Sequence, residues 1–143
     1  MKNKVEIAIM IVFLLAGMIE GQSQISLEIT VDNITNIEGS LRVGISKNAK
    51  DFPDKSGEGK VILVSGNSMT VVFEGVQPGD YAISVFHDEN NNETLDTNLF
   101  GLPKEGFAFG NNAMGMFGPP SFDNAKITVK NKTVKHTITL KYF

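Results

Sequence analysis

The sequence predicts an all-β protein built as an antiparallel β-sandwich of about seven strands. Three observations favour this class. Short segments alternate apolar and polar residues with a period of two, clusters of Gly, Pro, Asn and Ser separate these segments, and residues 24–143 lack the period of an amphipathic helix. A small closed barrel is the structural alternative.

Each predicted strand follows from its local pattern. The first two alternate Ile, Leu and Val with polar residues, and the third is a short apolar run typical of a buried strand. The last two are predicted to pair as a hairpin around Asn131 and Lys132. We predict strands at 25–31, 40–46, 61–64, 69–73, 81–86, 125–129 and 134–142.

A long coil separates the predicted fifth and sixth strands and is rich in Gly, Phe and Met. A loop of this length in a compact domain usually binds or covers something. Its Phe side chains could complete the core, or the coil could form a partner surface. The first interpretation is favoured, because soluble monomers rarely expose so much apolar area. The candidate interface residues are Phe107, Phe109, Met114, Met116 and Phe117.

The first 23 residues have the layout of a secretory signal peptide. Lys2 and Lys4 precede an apolar run at 7–15, and small residues follow it. An uncleaved anchor is the alternative, but the run is shorter than the roughly 20 apolar residues that span a bilayer core. We therefore expect residues 1–23 to be removed and residues 24–143 to form one exported domain, periplasmic or extracellular, without a membrane anchor.

Composition narrows the partners further. The chain has no cysteine, so the domain has neither disulfides nor the residue that carries a bacterial lipid anchor. Its net charge is −3, and its basic residues are not clustered, which argues against nucleic-acid binding. The expected partner is a protein or small molecule of the cell envelope.

The coil begins with a candidate cation site. Oxygen-bearing side chains occupy every second position, a spacing that resembles the first part of an EF-hand loop and suits Ca²⁺. Two features depart from that loop, because Glu93 replaces the usual Gly and Leu99 replaces the closing Glu. Alternatively, Asp and Asn cap turns in a solvated loop. The candidate ligands are Asp88, Asn90, Asn92, Thr94, Asp96 and, folding back, Glu105.

The sequence contains no recognisable catalytic motif, and no catalytic or cofactor-binding residue other than the metal candidates is predicted. Two His and no Cys disfavour catalytic zinc. We therefore expect a non-enzymatic accessory or binding module. The alternatives are a hydrolase that uses His87 with Asp88 or Glu105, and an interface subunit of an envelope assembly. A catalytic His87 should line a pocket, whereas a structural one should be packed and hydrogen-bonded.

The segments PGDYAISVFHDENNNETLDTNLFGLPKEGFAFGNNA and GPPSFDNAKITV resemble a family of small exported bacterial proteins, of a Bacteroidetes type, catalogued as a domain of unknown function. The resemblance implies a transthyretin-like, carboxypeptidase-regulatory-like or Ig-like sandwich, and no established activity. Glu93 stands where that family usually has Gly. The residues on the pattern are His87, Asp88, Asn90, Asn92, Leu95, Asp96, Gly101, Pro103, Glu105, Gly106, Pro120, Phe122 and Ala125.

Overall fold

The computed structural model describes residues 24–55 and 57–143. The predicted signal peptide, residues 1–23, lies outside the described residues. Within the described part of the chain, no helix combines the length and the apolar character needed to cross a membrane. The strands are β1 (Ser26–Asp32), β2 (Ser40–Ser46), β3 (Glu58–Leu63), β4 (Met69–Glu74), β5 (Gly79–Asp88), β6 (Phe107–Phe109), β7 (Lys126–Val129) and β8 (Val134–Thr139).

The predicted all-β sandwich is confirmed. One sheet has three strands in the order β4-β1-β8, and the other has five, in the order β3-β2-β5-β6 with β7 also paired to β5. The coil predicted between the fifth and sixth strands contains the short β6, a 3₁₀ turn (Gly110–Asn112) and a four-residue helix, α1 (Phe122–Ala125). The strand predicted as the sixth is therefore β7.

Two pairings differ from the predicted antiparallel pattern. β1 and β8 run parallel, with Leu27 opposite Val134. The predicted hairpin between the last two strands is wrong, because β7 pairs with β5 in one sheet and β8 with β1 in the other. A period-two pattern identifies a strand and its buried face, but it does not select the partner strand.

The core lies between the two sheets and is filled by inward side chains from both of them. Phe73 of β4 and Ile83 of β5 are fully buried and come from opposite sheets. Alternation places these residues on one face of each strand. The fully buried members of the core also include Leu27, Ile29, Val31, Leu41, Ile138 and Leu140.

β3 lies at the edge of the five-stranded sheet, and the prediction of a fully buried third strand is wrong. Val61 is 56% exposed and Leu63 is 76% exposed, because both point away from the core. The inward Lys60 closes this side of the sandwich, where its amine donates to the carbonyl of Val72 at 2.6 Å. An inward charge of this kind protects a sheet edge from further pairing.

Candidate functional site

The acidic loop, residues 88–105, is attached to the end of β5 by a buried carboxylate. Asp88 is fully buried, and the Nε of Arg42 donates to its Oδ2 at 2.7 Å. The backbone N–H groups of Asn92 and Glu93 donate to the same carboxylate at 3.0 and 2.9 Å. Burial alone would raise the pKa of Asp88, but the Arg42 guanidinium and the two N–H donors together hold that pKa below its ordinary value.

A second buried carboxylate fastens the other end of the loop. Glu105 is 5% exposed and folds back across the loop. Its two oxygens accept hydrogen bonds from the backbone N–H groups of Glu89 and Asp96, each at 3.0 Å. Because these donors sit at opposite ends of the acidic segment, Glu105 fixes the shape of the loop.

The remaining candidate ligands lie at the loop surface and bond to one another. The amide nitrogens of Asn90 and Asn92 donate to the Asp96 carboxylate at 2.7 and 3.0 Å. The Asn90 and Asn92 side-chain oxygens accept the backbone N–H groups of Asn92 and Thr94, in the manner of Asx turns. The structure therefore gathers Asn90, Asn92, Thr94 and Asp96, and it directs Asp88 and Glu105 into the protein.

Glu93 occupies the position at which the resembling family has Gly, and it keeps a left-handed backbone with φ of 72°. Such a φ costs a residue with a side chain roughly 1–2 kcal/mol. Its carboxylate lies 3.3 Å from the Arg42 guanidinium. The left-handed turn is therefore formed by a residue with a side chain, and its carboxylate contacts the cation that also holds Asp88.

The donor set fits Ca²⁺ poorly. Ca²⁺ requires six to eight oxygens, and its affinity rises with the number of charged ligands. Asp88 is neutralised by Arg42, Glu105 faces backbone donors, and only Asp96 brings a charge to the cluster of Asn side chains. Ser40 lies opposite Asp88 in the strand register and is buried, and its Oγ has no hydrogen-bond partner among the described residues, but a hydroxyl brings no charge. Among the described residues, no group of three or more His, Cys or acidic side chains could hold a metal.

The sequence pattern predicts Ca²⁺ binding, whereas the hydrogen-bonded loop predicts none, and a thermal unfolding experiment distinguishes the two. An ion that binds the folded chain and is present at about 100 times its Kd would add roughly 2.7 kcal/mol to the free energy of unfolding. The unfolding midpoint would rise by several degrees. Because the loop oxygens are already hydrogen-bonded, we expect the unfolding midpoints with millimolar Ca²⁺ and with a chelator to agree within about 1 °C. A larger shift that disappears in Asp96→Ala would place Ca²⁺ at this loop.

His87 lies beneath the loop and is fully buried. Its Nε2 is 2.7 Å from the Glu38 carbonyl oxygen, which can only accept, so Nε2 carries the proton. Its Nδ1 then accepts from the Tyr142 hydroxyl at 3.0 Å. Both nitrogens are used within the core, and His87 contributes nothing to the lining of the groove described next. This is the geometry expected of a structural histidine.

A groove of about 730 Å³ lies on the outer face of the five-stranded sheet. Its floor is made by Gly44, Gly59 and Ser84. Gly44 lies opposite both Gly59 of β3 and Ser84 of β5, so the two neighbouring strands bring these small residues together. The absence of large side chains in the middle of the sheet leaves the concavity.

The groove walls are largely apolar and are packed against neighbouring aromatic rings. The apolar walls consist of Val61, Phe86, Phe107, Phe109, Pro53 and Pro119. The end of the groove next to the acidic loop is lined by Arg42 of β2 and by Glu93, Thr94 and Leu95. Phe52, in the loop before β3, packs edge-to-face on Phe109 and Phe122 with centroids 5.8 and 6.2 Å away. Apolar concavities with a few polar groups at one end are typical of ligand sites.

The predicted interface residues divide into two groups. Phe107 is buried and Phe109 half-buried, so these two belong to the sheet and the groove wall. Met114, Met116 and Phe117 are 46%, 88% and 98% exposed. Sequence reasoning missed Leu99 and Phe100, which are 102% and 89% exposed. An Asn-rich stretch followed by an apolar pair could have identified them, because that pair has no place in a strand.

A family model covers residues 29–137, which is more than half of the chain. It describes an uncharacterized protein conserved in bacteria, DUF2141. This chain belongs to the DUF2141 family. The resemblance to a bacterial domain of unknown function is thereby confirmed. No curated protein matches this DUF2141 chain, and no solved structure does.

Proposed function

We propose that this DUF2141 chain is an exported, non-enzymatic binding module that holds an apolar group of a partner in the outer-face groove. One observation carries the proposal. The groove combines a glycine floor, apolar walls and a volume of about 730 Å³ on the five-stranded sheet. A site built on strands is held more exactly in place than one built on mobile loops.

The polar end of the groove supports this role. Arg42 and Glu93 form an ion pair there, and Asp88 holds Arg42 from below. The pair offers a donor and an acceptor to a polar group attached to an apolar ligand. The buried carboxylates Asp88 and Glu105 fix this wall, so the acidic loop serves the groove by shaping it.

A hydrolytic mechanism lacks comparable support. A general base must reach the proton that it removes, either directly or through one water. His87 is fully buried and bonds to Glu38 and Tyr142, and the carboxylates of Asp88 and Glu105 face N–H donors. Among the described residues, His87 is therefore not placed to act as a general base together with Asp88 or Glu105.

Titration with a fluorescent apolar anion tests the proposed site. We expect saturable binding by the native chain and binding at least about tenfold weaker in Ser84→Trp, because an indole over Gly44 and Gly59 fills the groove. Thr70→Trp, on the exposed face of the other sheet, is the matched control. The native chain has no Trp, so each variant also carries a single indole reporter.

The control separates groove binding from general stickiness. Equal affinity in Ser84→Trp and native chain would show that the probe binds elsewhere and would overturn the proposal. If Thr70→Trp also loses affinity for the probe, the added indole itself causes the loss. That result would equally contradict specific binding of the probe in the groove.

A further inference from the structure

We infer that the partner group held in the groove comes from a second copy of this chain, and that two copies form a symmetric dimer by inserting an apolar turn into each other's groove. This inference rests on the proposed binding function of the groove and names its occupant. The apolar turn, residues 97–103, is called the finger below.

The finger is an internally hydrogen-bonded turn that presents large apolar side chains to solvent. Thr97 and Pro103 form a bridge at its base. The Asn98 side chain accepts the N–H groups of Phe100 and Leu102 at 2.8 and 3.1 Å, and its backbone bonds to Leu102 and Gly101. A turn already fixed by five contacts loses little conformational freedom when its tip is buried by a partner.

The exposure of the finger is extreme for apolar residues. Leu99 is 102% exposed, Phe100 is 89% exposed and Leu102 is 49% exposed. A second tip, residues 114–117, adds Met116 at 88% and Phe117 at 98%. Soluble monomers rarely leave large apolar patches uncovered, so these tips are candidates for burial by a partner.

Both protrusions arise from the groove wall. Leu95 lines the groove, and the finger begins two residues later. Pro119 also lines the groove, and the second tip ends two residues before it. One surface of the chain therefore carries a concave apolar site beside convex apolar tips.

This juxtaposition favours a second copy over other occupants. In a two-fold interface the same patch serves both partners, so each needs a projection and a recess side by side. A lipid surface would take up the tips but would leave the glycine-floored groove unfilled. A small ligand would fill the groove but would leave Leu99 and Phe100 in water.

One pair of opposite charges is available across such an interface. Lys104 is exposed directly after the finger, and Asp54 is exposed on the groove wall, whose lining also carries Arg42, Lys60 and Glu93. The inferred dimer would place Lys104 of one chain at the Asp54 rim of the other. Opposite rim charges help to set the register and the association rate of an interface.

Sedimentation equilibrium of the exported chain, purified from cells that express the full sequence, tests the inference. We expect a mass twice that of one chain at tens of micromolar. Phe100→Ser in the finger and Ser84→Trp in the groove should each raise the dissociation constant at least about tenfold. Ile37→Ser removes an exposed apolar side chain outside the groove lining and should leave the mass unchanged.

Mixing the two weakened variants identifies the contact itself. The mixed dimer keeps one intact contact, between the native finger of the Ser84→Trp chain and the native groove of the Phe100→Ser chain. We therefore expect the mixture to associate more tightly than either variant alone. Two unrelated interfaces would show no such recovery.

The failures can be told apart. A native chain that stays monomeric at 100 µM overturns the dimer. This holds whether or not the chain floats with neutral lipid vesicles, a measurement that separately tests a lipid surface as the occupant. If that monomer still binds the apolar probe and Ser84→Trp does not, the groove function stands and only its occupant is wrong. A dimer that neither substitution weakens also contradicts the inference.

Discussion

Asp88→Ala is expected to lower the free energy of unfolding at neutral pH by about 3–4 kcal/mol and the unfolding midpoint by about 10–15 °C. The fully buried Asp88 carboxylate accepts hydrogen bonds from the Arg42 guanidinium and from the backbone N–H groups of Asn92 and Glu93. Its removal leaves these donors without an acceptor beneath the loop. Denaturant titration of both chains measures the difference.

The pH dependence of this loss has a defined sign. The folded pKa of Asp88 lies below its unfolded value of about 3.9. The contribution of Asp88 to stability is therefore complete above about pH 4 and is lost as the pH falls through the folded pKa. The native chain and Asp88→Ala should differ most near neutrality and converge in stronger acid.

Glu93→Gln is the control for Asp88→Ala. Glu93 is the other acidic partner of Arg42, but its side chain is 76% exposed, so water replaces the lost contact. We expect a change of at most about 1 kcal/mol. Similar losses in the two variants would mean that the buried carboxylate does not anchor the loop.

Gly39→Ala is expected to destabilise the domain by at least about 3 kcal/mol or to prevent folding. Gly39 has φ of +67°, which disfavours a side chain by about 1–2 kcal/mol. A Cβ there would also meet the Asp88 carbonyl oxygen and would lie 2.7 Å from the Glu89 Cα. These are backbone atoms at the root of the acidic loop, so they cannot turn aside.

Gly101→Ala separates the clash from the backbone strain. Gly101 has φ of +79°, and a Cβ there would meet no atom of residues 24–55 and 57–143 within 4 Å. We expect it to cost only about 1 kcal/mol, the penalty of the left-handed backbone alone. Yield and unfolding midpoint of the two variants provide the comparison, and an equally mild Gly39→Ala would contradict the close approach.

The strands could be predicted from the sequence because alternation is a local property. Leu27 and Ile29 belong to such a pattern, and the structure buries both. Pairing could not be predicted, since β8 joins β1 in parallel across more than 100 intervening residues. The edge position of β3, which exposes Val61 and Leu63, depends on that same long-range pairing.

Only part of the candidate site could be predicted from the sequence. The spacing of Asp88, Asn90 and Asn92 predicted either a cation site or a loop of Asx turns. It did not predict Arg42 as the cation beside Asp88, because Arg42 lies on a strand 46 residues away. The groove floor likewise depends on register, because Gly44 and Gly59 are ordinary residues until β2 and β3 place them side by side.

The most direct test of the groove as a binding site is to map an apolar probe by two-dimensional NMR of the ¹⁵N-labelled Phe100→Ser chain, in which the finger is weakened. Amide signals of Val61, Ser84 and Phe86 should move with one saturating isotherm, while those of Thr30 and Thr70 on the other sheet stay fixed. Shifts spread over both sheets, or none in the groove, would contradict a binding site on this face.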